Sequence, residues 1–200
     1  MDERAEAVRD LARIRDLMER AGRYSHLSGL SALVAGLLGA AGAVACLAFR
    51  IDFNVPGHAA RLAGVWGAVL ALAAGQHLAL TVLHARRRGE PAWTPLARQV
   101  ALAQLPSLFI GAAITGYGLQ TGQLDLLPPI WALAHGSSLL ALGLWAGGRI
   151  QAAGLLFLAT GAVTLWWLKE HGLWMMLASF GGYHVLLGAW MLWKPRASAA

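Results

Sequence analysis

Residues 27–49 read LSGLSALVAGLLGAAGAVACLAF, an apolar run of 23 residues without a charged side chain. An α-helix of this length is about 34 Å long, which is enough to cross the ~30 Å hydrocarbon core of a bilayer. Five further runs contain no Asp, Glu, Lys or Arg; they lie at residues 62–85, 99–120, 126–147, 150–168 and 172–193.

The composition supports the same interpretation. The chain is 58% hydrophobic and only 13% charged, whereas a soluble domain has roughly 25% charged residues. Because lipid offers no hydrogen-bond partner, the backbone of each run must satisfy its polar groups within a helix. The sequence therefore predicts an all-α polytopic integral membrane protein with a six-helix transmembrane bundle at residues 27–193.

The basic residues predict the orientation of the bundle. Thirteen of the 16 Lys and Arg residues fall in segments that lie on one side of the six predicted helices. Since cytoplasmic segments retain positive charge, both termini are expected in the cytoplasm. The basic segments are residues 1–26, the loop 86–98, Arg149 and the tail 194–200.

The most concentrated positive charge is the run Arg86, Arg87 and Arg88. At the cytoplasmic end of the second helix, these side chains are expected to contact anionic lipid headgroups. The net charge of +6 thus reflects membrane topology. Nucleic-acid binding would need a basic face on a soluble domain, and the sequence predicts no such domain.

Residues 1–26 have the pattern of an amphipathic helix. Six acids and six arginines accompany apolar residues spaced three and four apart, including Leu11, Ile14 and Met18. A secretory signal carries no such load of acids. This cytoplasmic helix either packs on the bundle or membrane surface, or it uses the apolar stripe to contact a partner protein or another protomer.

Three histidines lie at depth within the predicted helices. His135 and His184 fall about 15–18 Å from the external face, near mid-membrane, and His77 lies deeper, in the cytoplasmic half. Ionisable groups at such depth are costly and suggest a function. Three explanations stay open: hydrogen bonds between helices, a proton path or polar cavity, and a haem or metal site in which His135 and His184 would be the ligands.

Other polar side chains share the predicted membrane interior with these histidines. Thr81 follows His77 by one turn, Ser138 follows His135, and Gln104 lies on the third helix. They are candidates for the same polar path or ligand set. Glycines also recur along the first, third, fifth and sixth helices, and we expect them to allow close helix packing.

Sequence signatures of catalysis are lacking. The chain has no phosphate-binding glycine loop, dinucleotide fingerprint, zincin motif or serine elbow. We therefore expect a protein that is not an enzyme, and no cofactor is predicted beyond the haem or metal alternative.

The two ends of the chain resemble a known family. The opening has an IRxLMER stretch at residues 14–20, LSGLS at 27–31 and an Ala-Gly pair at 35–36. The last helix has FGGYH at residues 180–184, followed by Gly188. These motifs resemble a family of uncharacterised bacterial membrane proteins. The resemblance implies a location in the bacterial inner membrane and transfers no activity, ligand or site residue.

Three functions remain as hypotheses. The first is a non-enzymatic sensing or scaffolding module that presents residues 1–26 to a cytoplasmic partner. The second is a small channel or transporter that uses the intramembrane histidines, and the third is a haem- or metal-binding redox protein. The expected partners are the lipid bilayer, a cytoplasmic protein and, because the bundle is small, further copies of the same chain.

Overall fold

A computed structural model describes residues 28–89 and 91–193. These residues form an all-helical bundle without a β-strand. Six helices are long and apolar enough to cross a membrane, which agrees with the number of predicted spans. The amphipathic segment 1–26, with Leu11, Ile14 and Met18, and the tail 194–200 lie outside the described residues.

The helices follow the six apolar runs in order. The first five are α1 (Gly29–Ala48), α2 (Ala59–Arg88), α3 (Pro95–Thr121), α4 (Leu127–Ala146) and α5 (Gly148–Trp167). The sixth span (Lys169–Leu192) consists of a short 3-10 turn, α6 (Gly172–Met176), a π-helical segment (Leu177–Tyr183) and α7 (His184–Leu192).

Two helices are longer than the sequence predicts, because the boundary residues favour helix. The second was expected to end at residue 85, but α2 continues through Arg88 and is capped by Gly89 with φ 67°. The third was expected from residue 99, but α3 begins at Pro95, and Thr94 Oγ1 accepts a 3.1 Å hydrogen bond from Ala97 N. Arginine is a good helix former, and Thr–Pro is a favourable helix start.

Glycines bring two pairs of helices into close contact. On α1, a Cβ atom at Gly36 would lie 2.6 Å from the backbone nitrogen of Val185 in the sixth span. On α4, a Cβ atom at Gly136 would lie 2.8 Å from the carbonyl oxygen of Gly154 on α5. Both approaches are closer than any larger residue allows, so these glycines set the packing distance of the pairs.

The remaining two helices pack at the edges of this core. Helix α2 packs against α1 and α3 against α4, whereas α2 and α3 make only marginal contact with each other. A gap therefore separates α2 from α3 on one side of the bundle.

The connections at residues 50–58, 122–126 and 168–171 meet at one end of the bundle, here called the 50–58 end. Asn54 Nδ2 donates a 3.0 Å hydrogen bond to the carbonyl of Glu170, and Lys169 pairs with Asp125 at 3.7 Å. Beneath these contacts, Phe53 and Leu124 are buried in the core. The loops thus cover the bundle at this end.

Candidate functional site

A cavity of about 280 Å³ lies inside the bundle, in the half next to the 50–58 end. Its wall is almost entirely apolar and is built by five of the six spans. It exceeds an engineered cavity of about 150 Å³ that binds benzene, so it has room for a two-ring molecule. The residues that define its extent include Ala35, Gly39, Phe53, Leu62, Trp66, Leu70, Ala73, Leu108, Thr115, Leu119, Leu127, Trp131, His135, Met176, Phe180 and His184.

The cavity opens sideways, through the gap between α2 and α3. Leu70 on α2 and Leu108 on α3 both line it, and each is nevertheless 46% exposed. At the 50–58 end, Phe53 belongs to the wall and is only 3% exposed. A molecule would therefore reach the cavity from the side of the helix bundle rather than from the loops.

His135 and His184 meet in the wall of this cavity. His135 comes from the middle of α4, and His184 is the first residue of α7. Their Nε2 atoms lie 3.1 Å apart, which is a hydrogen-bond distance. The sequence placed both side chains at similar depth on separate helices, and the structure brings them together.

Aromatic rings surround the histidine pair. The ring centroid of Phe157 lies 4.8 Å from that of His135 and 5.3 Å from that of His184. Phe180, in the π-helical segment, lies 5.4 Å from His135. π-Helical turns often occur at functional sites because they reposition neighbouring side chains, and this one directly precedes His184.

The pair leaves hydrogen-bonding capacity unused. The bond to His184 is the only hydrogen bond of the His135 side chain to described residues. His184 Nδ1 is buried and has no hydrogen-bond partner among the described residues. A buried polar nitrogen without a partner costs about 1–3 kcal/mol.

Two tryptophans, Trp66 and Trp131, form part of the cavity wall. Trp131 Nε1 donates a 2.9 Å hydrogen bond to Thr115 Oγ1 and thereby links α4 to α3. Trp66 Nε1 is buried and has no partner within the described residues.

His77 has different partners from the other two histidines. Its Nδ1 atom lies 3.0 Å from Ser31 Oγ, and the neighbouring Gln76 donates to the carbonyl of Ser31 at 3.1 Å. His77 does not line the cavity. Thr81, one turn further along α2, makes no side-chain hydrogen bond to described residues. The structure therefore brings two of the three histidines together and places His77 in a contact between α1 and α2.

Gln104 and Ser138 form a corresponding contact between α3 and α4. Ser138 Oγ donates to Gln104 Oε1, and Gln104 Nε2 donates to the carbonyl of Ser138 at 3.2 Å. Each edge helix is thus fastened to its neighbour by a glutamine–serine contact, Gln76–Ser31 on one side and Gln104–Ser138 on the other. These polar residues fasten the edge helices to their neighbours and do not line the cavity.

Arg86, Arg87 and Arg88 form the exposed last turn of α2. Their expected contact with headgroups stays a prediction. The metal hypothesis gains a pair of imidazole nitrogens, since His135 and His184 could fill two coordination positions. Among residues 28–89 and 91–193, no group of three or more His, Cys, Asp or Glu side chains could hold a metal ion.

Comparison with known proteins adds no further guide to function: no family model, curated protein or solved structure matches this chain.

Proposed function

We propose that this chain is a non-enzymatic membrane module that binds a lipid-soluble molecule in its cavity and signals or scaffolds through residues 1–26. The single observation that carries the proposal is the cavity of about 280 Å³ that opens between α2 and α3. Its wall is apolar, so it favours a ligand that partitions into the bilayer.

The proposed location is the bacterial inner membrane, with both termini in the cytoplasm. The distribution of Lys and Arg along the sequence supports the orientation, and the resemblance of the opening and closing motifs supports the bacterial location. In this orientation the 50–58 end is external and Arg86–Arg88 contact cytoplasmic headgroups. Association with further copies of the chain also remains a proposal.

The channel hypothesis has less support from the geometry. His77 is held by Ser31, and the wall of the cavity is apolar except for a few side chains. A proton or ion path would need a chain of polar groups across the bundle. A small apolar molecule needs only space, access and a few polar contacts, and the cavity provides these.

The binding proposal is tested by analysing what copurifies with the chain. Ala73 on α2 lines the cavity, whereas its neighbour Ala74 is exposed and does not. The protein and its Ala73→Phe and Ala74→Phe variants would be purified in mild detergent, extracted with organic solvent and analysed by mass spectrometry. We expect one lipid-soluble molecule to be enriched with the wild-type and Ala74→Phe chains and lost from Ala73→Phe. Equal recovery from all three would refute cavity binding.

The role of residues 1–26 is tested separately. Cross-linking in cells, followed by affinity purification, would compare the full chain with a variant lacking residues 1–26. A Leu11→Asp/Met18→Asp variant removes only the apolar stripe and keeps the length of the segment. We expect a reproducible cytoplasmic protein partner with the full chain and its loss from both variants. Capture unaffected by either change would refute this role.

A further inference from the structure

We propose that the cavity holds one acyl chain of a phospholipid from the leaflet at the 50–58 end. This inference rests on the proposed function, because it names the class of molecule that the cavity binds. Three observations carry it: the elongated shape of the cavity, the depth to which it extends and the position of its lateral opening.

The cavity is longer than it is wide. On α2 its wall extends from Leu62 to Ala73, and on α3 it extends from Leu119 to Leu108. Each of these stretches is about 16 Å long at the helical rise of ~1.5 Å per residue. A sphere with the volume of the cavity, about 280 Å³, would be only about 8 Å across. The cavity therefore extends along the helices, and an extended chain fits this shape better than a compact ring system does.

The depth of the cavity matches one leaflet of a bilayer. Leu62 and Leu119 lie close to the ends of α2 and α3 that meet the 50–58 end, and Ala73 and Leu108 lie about 16 Å further in. Half of a hydrocarbon core of ~30 Å is about 15 Å. The acyl chains of the leaflet at the 50–58 end would therefore lie beside the whole cavity. A chain from the opposite leaflet ends near the midplane and would reach only the inner end.

The lateral opening allows such a chain to enter without leaving the hydrocarbon. Gly67 and Leu70 on α2, and Leu108 and Leu119 on α3, line the cavity and are exposed. Exposed wall residues thus occur near both ends of the gap between the two helices. A chain that lies along the gap can move sideways into the cavity while its headgroup stays at the membrane surface.

An apolar cavity that opens into a bilayer favours a lipid chain as its occupant. Atoms that line an empty space lose dispersion contacts, and water fills such a space poorly because the wall offers few polar groups. An acyl chain restores the contacts, and it passes from one apolar environment to another. The chains of the bilayer also surround the opening, so no other molecule has a shorter path to the cavity.

Photoreactive phospholipids test the inference, because they report which residues a chain contacts. The intact protein would be reconstituted into phosphatidylcholine liposomes that contain a trace of diazirine-labelled phosphatidylcholine. One probe carries the diazirine close to the headgroup, and the other carries it close to the methyl end of the same acyl chain. After irradiation, the labelled residues would be identified by mass spectrometry.

The expected labels depend on depth. The diazirine close to the headgroup should label Leu62 and Met176, which line the outer half of the cavity. Both side chains are buried, so a lipid on the outer surface of the bundle does not reach them. The diazirine close to the methyl end should label His184, at the inner end of the cavity wall. Leu186, exposed on the same helix, should also be labelled by this probe and serves as the surface control.

A matched pair of variants localises the chain. Ala73→Phe adds a ring to the inner part of the wall, whereas Ala74→Phe adds the same ring at an exposed position outside it. The labels at Met176 and His184 should be lost in Ala73→Phe and kept in Ala74→Phe, with Leu186 labelled in both. If Ala73→Phe fails to fold, the order of the labels along the wild-type chain decides the question.

The outcomes separate this inference from the proposed function. Labels confined to exposed residues, or cavity labels that persist in Ala73→Phe, would overturn the acyl-chain assignment. A label at His184 without labels at Leu62 and Met176 would place the chain in the opposite leaflet and overturn the inference as stated. Equilibrium dialysis of 2-methylnaphthalene in detergent micelles tests the cavity without an acyl chain. Saturable binding of this probe without lipid labels in the cavity would leave the binding function intact, and absence of both would refute the two proposals together.

Discussion

Gly136 on α4 and Gly154 on α5 are in mutual contact, and replacing Gly136 by alanine tests the closest packing in the bundle. The added Cβ atom would lie 2.8 Å from the carbonyl oxygen of Gly154 and 2.8 Å from the backbone nitrogen of Leu158. Both neighbours are backbone atoms that cannot rotate away. The two helices must separate by about 0.6 Å to reach an ordinary van der Waals distance of 3.4 Å.

A separation of this size weakens the contacts along the whole pair of helices. A gap of 0.5–1 Å removes about a quarter to a half of the dispersion energy of each contact, and overpacking a well-packed core costs about 1–3 kcal/mol. We therefore expect Gly136→Ala to reduce the free energy of unfolding by about 1–3 kcal/mol. Because the contact is mutual, adding Gly154→Ala should cost less than the sum of the two single changes.

The assay is reversible unfolding in mixed detergent micelles, followed by circular dichroism. The matched control is Gly75→Ala on α2, where no described residue lies within 4 Å of the added Cβ atom apart from the chain neighbours and the helix's own backbone. Since alanine is a better helix former than glycine, the control should be unchanged or up to about 1 kcal/mol more stable. If Gly136→Ala is as stable as Gly75→Ala, the packing described for α4 and α5 is wrong.

Three further predictions address the edge helices and the orientation. Gln104→Leu should lower the free energy of unfolding by about 0.6 kcal/mol and at most about 1.7 kcal/mol. Gln99→Leu, at an exposed position of α3, should leave it unchanged. Equal unfolding curves for the two variants would contradict a stabilising contact between Gln104 and Ser138. The double variant Leu70→Trp/Leu108→Trp should slow the exchange of bound 2-methylnaphthalene, because it narrows the gap between α2 and α3. The control Leu72→Trp/Leu105→Trp, at exposed positions outside the cavity, should leave the exchange rate unchanged. Identical exchange rates in the two variants would exclude access through this gap. In a Cys46→Ala background, an impermeant maleimide should label Gly57→Cys from outside and Arg87→Cys only after permeabilisation, and the reverse pattern would invert the proposed topology.

The helices could be predicted from the sequence because each apolar run is long, uncharged and bounded by polar residues. The similar predicted depth of His135 and His184 indicated that the two side chains could touch, since residues at one level on neighbouring helices can be in contact. Their actual contact depends on the rotation of each helix about its axis. A run that is apolar on all sides carries little information about that rotation.

The cavity could not be predicted for a related reason. It exists because α2 packs on α1 and α3 packs on α4 while the two make little contact with each other. Leu70 and Leu108 are leucines in apolar runs that contain many other leucines. Nothing in the sequence therefore marks these two positions as a lateral opening. The π-helical segment at Leu177–Tyr183 was also missed, although the Gly181-Gly182 pair before His184 is a sequence signal for an irregular turn.

The most direct test for a binding cavity is to measure, by equilibrium dialysis, how many 2-methylnaphthalene molecules bind per chain in detergent micelles. Binding of this hydrocarbon requires only the cavity and its lateral opening, because the probe cannot form a hydrogen bond with the histidine pair. We expect saturation at one molecule per wild-type chain, the same result for Ala74→Phe, and loss of saturable binding in Ala73→Phe. Uptake that never saturates, or that is equal in wild-type and Ala73→Phe chains, would contradict the central claim that the bundle contains a binding cavity.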